Sequence, residues 1–167
     1  MTSTPTPTPT PAPTPAPAPA PTPAEVFHAL ADAVPRLVLG DRSQLEPLIA
    51  LYAEPTDVRH PFAPFPTEPL RTRDDLRRHF GGATTEADGI ETFAAVERTV
   101  HATADPEVVI GEFHYVGRAH ARDFDVACVF VLRVRAGRII ESRDYTDPVG
   151  FARAFGQLDT LAAALAG

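Results

Sequence analysis

From Pro5 to Pro23 every second residue is proline, and the residues between are Thr or Ala. Proline has no amide donor and a fixed φ, so this stretch supports neither helix nor sheet ladders. Its expected state is an extended, polyproline II-like leader with no part in chemistry. Ten of the 19 prolines fall within residues 1–24, whereas all 37 charged side chains lie beyond them. The expected division is therefore a disordered leader over 1–24 and one folded domain over 25–167. A remainder of that size can bury a substantial core.

Composition removes several kinds of chemistry. All fifteen basic residues are Arg, so no lysine exists for a Schiff base or a phosphate-binding loop. The single Cys makes neither an internal disulfide nor a thiolate metal cluster. A net charge of -7 argues against nucleic acid and anionic membranes as partners. No run of about 18 apolar residues offers a membrane span. The N-terminus lacks the charged start and apolar run of a signal peptide, so cytoplasmic residence is the expectation.

Hydrophobic spacing divides the domain. Val26, Phe27, Leu30, Val34, Leu37 and Val38 recur at helical period, with Pro35 placed to kink or split the helix. Ser43-Gln44-Leu45-Glu46 reads as a capping box for a second helix reaching Tyr52 and ended by Pro55. Val58 to Phe62 reads as a short strand, followed by a Pro-rich turn. Thr72-Arg73-Asp74-Asp75 opens a third helix, which should stop at Phe80 before Gly81-Gly82. The period then changes: 92–103, 108–121, 124–135 and 138–146 read as strands. Asp147-Pro148 caps a last helix bearing Phe151, Ala154 and Phe155. Helices first and long strands last mean an α+β fold, with helices on one face of a curved sheet.

The turn at Arg135-Ala136-Gly137 decides where Asp144 points. A two-residue loop pairs Val129 with Asp144, and a three-residue loop pairs Cys128 with it. The second is preferred, because it needs one positive φ and Gly137 supplies it. Phe124, Val126, Cys128, Phe130, Leu132, Ile140, Ser142 and Asp144 then share a face. Val129, Val131, Arg133, Arg135, Ile139, Glu141 and Arg143 share the other. A carboxylate on an apolar face has a raised pKa unless it is paired, which suits a general acid or base. Pairing with an Arg, or capping of the last helix, is the competing reading.

The segment Gly137-Arg138-Ile139-Ile140-Glu141-Ser142-Arg143-Asp144-Tyr145-Thr146-Asp147-Pro148 resembles the closing segment of SnoaL-like proteins, in the nuclear transport factor 2-like superfamily. His60-Pro61-Phe62-Ala63-Pro64, with Leu70-Arg71-Thr72-Arg73-Asp74-Asp75-Leu76, resembles that family's first strand and following helix. The resemblance spans about residues 25–160. It implies a cone-shaped α+β barrel, in which a curved, mixed and largely antiparallel sheet wraps a deep pocket beside N-terminal helices. Members include polyketide cyclases, ketosteroid isomerases, limonene epoxide hydrolases and non-enzymes. In several enzymes a carboxylate on the last long strand enters the pocket, and Asp144 matches that position. The Arg-x-Asp pair that limonene epoxide hydrolases carry on an earlier strand is missing, since that stretch reads Glu112-Phe113-His114-Tyr115.

These readings lead to a cofactor-independent cyclase or isomerase acting on a hydrophobic small molecule. The alternatives are an epoxide-opening enzyme and a non-catalytic binding or dimerisation module. Asp144 is the expected acid/base, assisted by His60 and His114. Tyr52, Phe62, Phe65, Phe113, Tyr115, Cys128, Phe130 and Leu132 are the expected binding residues. His114 is preferred to Tyr115 as the inward member of its pair. Glu112, His114 and His120 alternate along one strand, but no metal is expected. His28, His79 and His101 read as ordinary structural residues. The sheet face with Val129, Val131, Arg133 and Arg143 is the expected homodimer surface.

Overall fold

The computed structural model describes residues 19–83 and 89–166. Most of the Pro/Thr leader, residues 1–18, lies outside the described residues.

The first helix, α1 (Pro23–Val38), starts two residues earlier than expected. Thr22 caps it: the Thr22 amide donates to Glu25 Oε2 at 2.8 Å, and the Glu25 amide donates back to Thr22 Oγ1 at 3.3 Å. Pro35 does not split α1. It sits in the last turn, where one amide is lost, and its ring is buried against the core. Asp41, rather than Ser43, caps the next segment, a 3-10 turn leading into α2 (Leu45–Ala50). A carboxylate accepting from both the amide and the hydroxyl of Ser43 outcompetes the serine.

Strand β1 (Tyr52–Arg59) occupies what reads in sequence as a helix end and a later strand. Pro55 does not terminate a helix there; it lies in an edge strand, where a missing donor costs no ladder bond. Helix α3 (Arg73–Ala83) is capped reciprocally by Thr72 and Asp75, and runs through Gly81 and Gly82 instead of stopping at Phe80. Strands β2 (Ile90–Ala102), β3 (Val108–Ala119), β4 (Arg122–Arg135) and β5 (Arg138–Thr146) follow. Asp147 caps α4 (Pro148–Ala154), its carboxylate accepting from the Val149 amide at 2.9 Å. A further helix, α5 (Leu158–Ala166), is unanticipated.

The sheet order is β1-β5-β4-β3-β2, antiparallel except for the parallel β1–β5 pair. Helix α1 lies across its inner face. Phe27, Leu30 and Leu37 are fully buried there, and Phe27 meets Phe113 edge-on at 5.8 Å. Burial of each such side chain stabilises by about 1.5–3 kcal/mol. The molecule is thus an α+β fold with a five-stranded curved sheet, as the sequence period suggests.

The β4–β5 hairpin differs from the expected one. Arg135 pairs with Arg138, so the loop is Ala136-Gly137, both at positive φ (49° and 73°). Ile140 then bulges out of the ladder, and Phe130, rather than Cys128, faces Asp144. The Thr56 hydroxyl donates to the carbonyls of Ile139 and Ile140, at 3.2 and 3.3 Å, and so holds the bulge against β1. Ile139 rather than Ile140 is the inward residue: it is fully buried opposite Val134. Beyond the bulge, Ser142 and Asp144 both turn inward.

Candidate active site

Asp144 sits near the end of β5 with its side chain 10% exposed. Burial lifts its pKa to about 7, against smaller opposing effects from the Ser142 hydroxyl and the Arg143 guanidinium. Ser142 Oγ donates to Asp144 Oδ1. The other oxygen, Oδ2, lies 3.8 Å from His60 Nε2, beyond hydrogen-bond length. Burial also lowers the His60 pKa, so a neutral imidazole faces a carboxyl that gains and loses its proton around pH 7.

His60 follows β1 directly and begins a loop pinned at its far end, where Leu70 exchanges backbone hydrogen bonds with Val58 at 3.0 and 3.1 Å. That loop, the end of α3, and helices α4 and α5 enclose a cavity of about 650 Å³. His60, Phe65, His79, Phe151 and Leu161 are among its walls. The volume falls in the range of small-molecule sites. Asp144 stands one layer behind the wall, reached past His60.

Sequence reasoning missed His79. Its ring lies 4.9 Å from that of His60, and surrounding protein together with the His60 ring pushes its pKa down. The only local hint is its place beside the apolar stripe of α3, one residue before Phe80. Helix α5, which contributes Thr160, Leu161 and Ala164 to the cavity, was also missed. Its apolar residues have no buried member to advertise a core face.

The other candidates divide into three groups. Phe62 and Phe65 stand at the cavity rim, 59% and 51% exposed. Tyr52, Phe113, Tyr115, Cys128, Phe130 and Leu132 are buried on the inner face behind the cavity, and Phe113 packs against Phe27, Tyr115 and Phe130. Tyr52 and Tyr115 are within electrostatic reach of Asp144; burial above all holds both phenols protonated, helped at Tyr52 by that carboxylate and at Tyr115 by Cys128 and then the carboxylate. Burial pushes the Cys128 thiol up to about 12, which leaves it a packing residue.

His114 forms the third group. Tyr115, not His114, is the inward residue of that pair. His114 projects from the outer face, where Nδ1 meets Asp125 Oδ1 at 2.5 Å, and it has no part in the cavity. Glu112 pairs with His101 at 3.4 Å, while His120 lies beside Gly89 at the β3–β4 turn. Among the described residues no three His, Cys, Asp or Glu side chains come together as a metal site. Among the described residues, too, no helix is long and apolar enough to cross a membrane.

Residues 39–142 match the SnoaL-like domain family. Asp144 lies two residues beyond that match. No curated protein sequence matches the chain. Solved structures do. A Bacillus subtilis protein whose name proposes an isomerase superposes with a TM-score of 0.64 at 21% identity, over 80% of this chain and 92% of its own. A Catenulispora acidiphila protein with a ketosteroid isomerase-like fold, bound to trimethylamine, scores 0.58 at 19% identity, over 81% and 94%. A phenazine biosynthesis-related protein from Pseudomonas aeruginosa scores 0.52 at 15% identity, over 84% and 89%.

Proposed function

Because the chain belongs to the SnoaL-like domain family, within the nuclear transport factor 2-like superfamily, we propose that it is a proton-transfer enzyme acting on a hydrophobic small molecule. The reaction class is isomerisation or ring closure at a carbon made acidic by a neighbouring carbonyl. The observation that supports this is Asp144: a buried carboxyl with a pKa of about 7, behind the wall of an apolar cavity. At neutral pH about half the molecules carry its carboxylate.

Through His60, which stands between it and the cavity, that carboxylate takes a proton from the substrate carbon, leaving an enolate. The carboxylic acid so formed returns the proton, either to a different carbon (isomerisation) or to the alkoxide produced when the enolate closes a ring. His60, neutral before the transfer, carries the proton across the 3.8 Å gap. A positioned acid/base of this kind contributes about 10²–10⁴-fold in rate. No step requires a metal or organic cofactor.

The test uses 5-nitrobenzisoxazole, whose ring opens when any positioned base removes its carbon-bound proton. Turnover by the full chain that falls at least 100-fold in Asp144→Asn, with melting unimpaired, supports the reading. Turnover that survives the substitution overturns it.

Epoxide opening is the weaker reading, since the Arg-x-Asp pair is missing from β3. The outer sheet face is proposed as a homodimer surface, with Val129 and Val131 half-buried between the ion-paired Arg133 and Arg143. A Val131→Glu variant that runs as a monomer while the parent runs as a dimer supports that contact. A parent that is itself monomeric overturns it.

A further inference from the structure

The loop that begins at His60 has two sides. One walls the apolar cavity. The other, together with the ends of β1 and β5, encloses a second concavity of about 610 Å³. His60, Ala63, Pro64, Phe65 and Thr67 border both, so the two spaces adjoin across one loop with His60 at their junction.

The chemistry changes across that junction. Arg59, Arg143 and Tyr145 face the second concavity. Arg59 Nε is 3.1 Å from both oxygens of Asp57, while its two terminal nitrogens have no partner among the described residues. Arg143 donates to the same Asp57 carboxylate at 2.8 Å, and to the carbonyls of Asp57 and Ser142 at 2.7 and 2.8 Å. One carboxylate therefore serves two guanidinium groups. Glu141 comes no closer than 3.9 Å to Arg143, and lies 4.0 Å from Arg133 on its other side. A pocket with unspent guanidinium donors is notable in a chain of net charge -7, whose overall field repels anions. Planar Arg donors match the paired oxygens of carboxylates and phosphates.

We infer that this second concavity is a subsite for an anionic oxygen group, a carboxylate or phosphate, carried by a molecule whose apolar body lies past His60 in the main cavity. The inference deepens the proposed function: it makes the substrate an amphiphile with a charged end. Arg59 holds the anion with its free terminal nitrogens. Arg143, held by three acceptors, supplies fixed positive charge beneath it. The apolar portion occupies the space between Phe65 and Leu161.

Three fluorescent probes test it on the full chain: pyrenebutyrate, pyrenebutyl phosphate and the neutral pyrenebutanol, followed by anisotropy at pH 7.5 and low salt. The expected result is at least tenfold tighter binding of one or both anionic probes than of the alcohol. Arg59→Gln should abolish that preference and Arg59→Lys should restore part of it, with melting temperature unchanged in both. The tighter anion identifies the head group. Equal affinities in the parent, a preference that survives Arg59→Gln, or binding of none of the three overturns the inference. Asp144→Asn should keep the anion preference. A parent with no anion preference whose turnover is still lost in Asp144→Asn marks failure of this subsite alone, whereas an intact preference with turnover that survives Asp144→Asn marks failure of the acid/base reading alone.

Discussion

Asp144 Oδ2 and His60 Nε2 lie 3.8 Å apart, one on β5 and the other just past the end of the parallel strand β1. The distance is too long for a hydrogen bond and short enough for a proton to cross with a small ring movement. Burial disfavours the charge on both groups. The pair is therefore poised as acid and base rather than locked as an ion pair. A locked pair would hold Asp144 as a carboxylate well below its ordinary range and remove it from proton transfer near neutrality.

This placement costs stability in a pH-dependent way. An unfolded Asp loses its proton near pH 4, whereas in the fold Asp144 loses it at about 7. Between those values the folded chain holds a proton that the unfolded chain has released. Stability then falls as pH rises, and the full penalty is present above pH 7. It is on the order of 4 kcal/mol. Asp144→Asn carries no such charge, so it should melt above the parent at pH 8.5, with the gap closing toward pH 4. A gap that does not depend on pH would show that Asp144 titrates normally.

Among the described residues, Arg143 is the one positive group that opposes the burial of Asp144. Removing it should raise the Asp144 pKa beyond about 7. In Arg143→Gln, the pH at which 5-nitrobenzisoxazole turnover reaches half its alkaline plateau should move upward. Base catalysis needs the carboxylate, so turnover at pH 6 should fall roughly tenfold for every pH unit by which that midpoint climbs. A midpoint that stays in place would mean that solvent screens the guanidinium from the carboxyl.

The inward placement of Asp144 was legible in sequence, though by a route the molecule does not take. A three-residue loop and a two-residue loop with one bulged residue shift the register by the same parity, so either turns Asp144 inward. Strict alternation does not encode a bulge; the adjacent Ile139-Ile140 is its only trace. The four long strands and the capped helices α3 and α4 were equally legible, because their cues are local. His79 was not, since its meaning comes from His60, on the far side of a Pro-rich loop. Nor was the wall of the cavity. The strand aromatics Phe113 and Phe130 look like lining, but α1 and their neighbours cover them, and the loop with α5 forms the wall instead.

His114 makes the opposite prediction to His60. It lies on the outer face, and its bond to Asp125 raises its pKa. The stabilisation from that pair is present below about pH 6.5 and is lost as pH rises through the raised folded value. Both side chains are exposed, so the pair contributes under about 1 kcal/mol. His114→Ala should leave 5-nitrobenzisoxazole turnover unchanged, lower the melting temperature slightly at pH 5.5 and have no effect at pH 9. A turnover loss of tenfold or more would return His114 to the site.

The seating of α1 on the sheet depends on a missing side chain. A Cβ at Gly111 on β3 would enter the ring of Phe27, which is fully buried and wedged against Phe113. Gly111→Ala should therefore destabilise by about 1–3 kcal/mol through overpacking. Phe27→Leu alone should also destabilise, by leaving space beneath α1. Combined, the smaller side chain makes room for the new methyl group, so the double variant should be more stable than the sum of the two losses allows. Urea melts of the four proteins measure that coupling. Simple additivity would mean that Phe27 does not sit over Gly111 and that α1 packs elsewhere on the sheet.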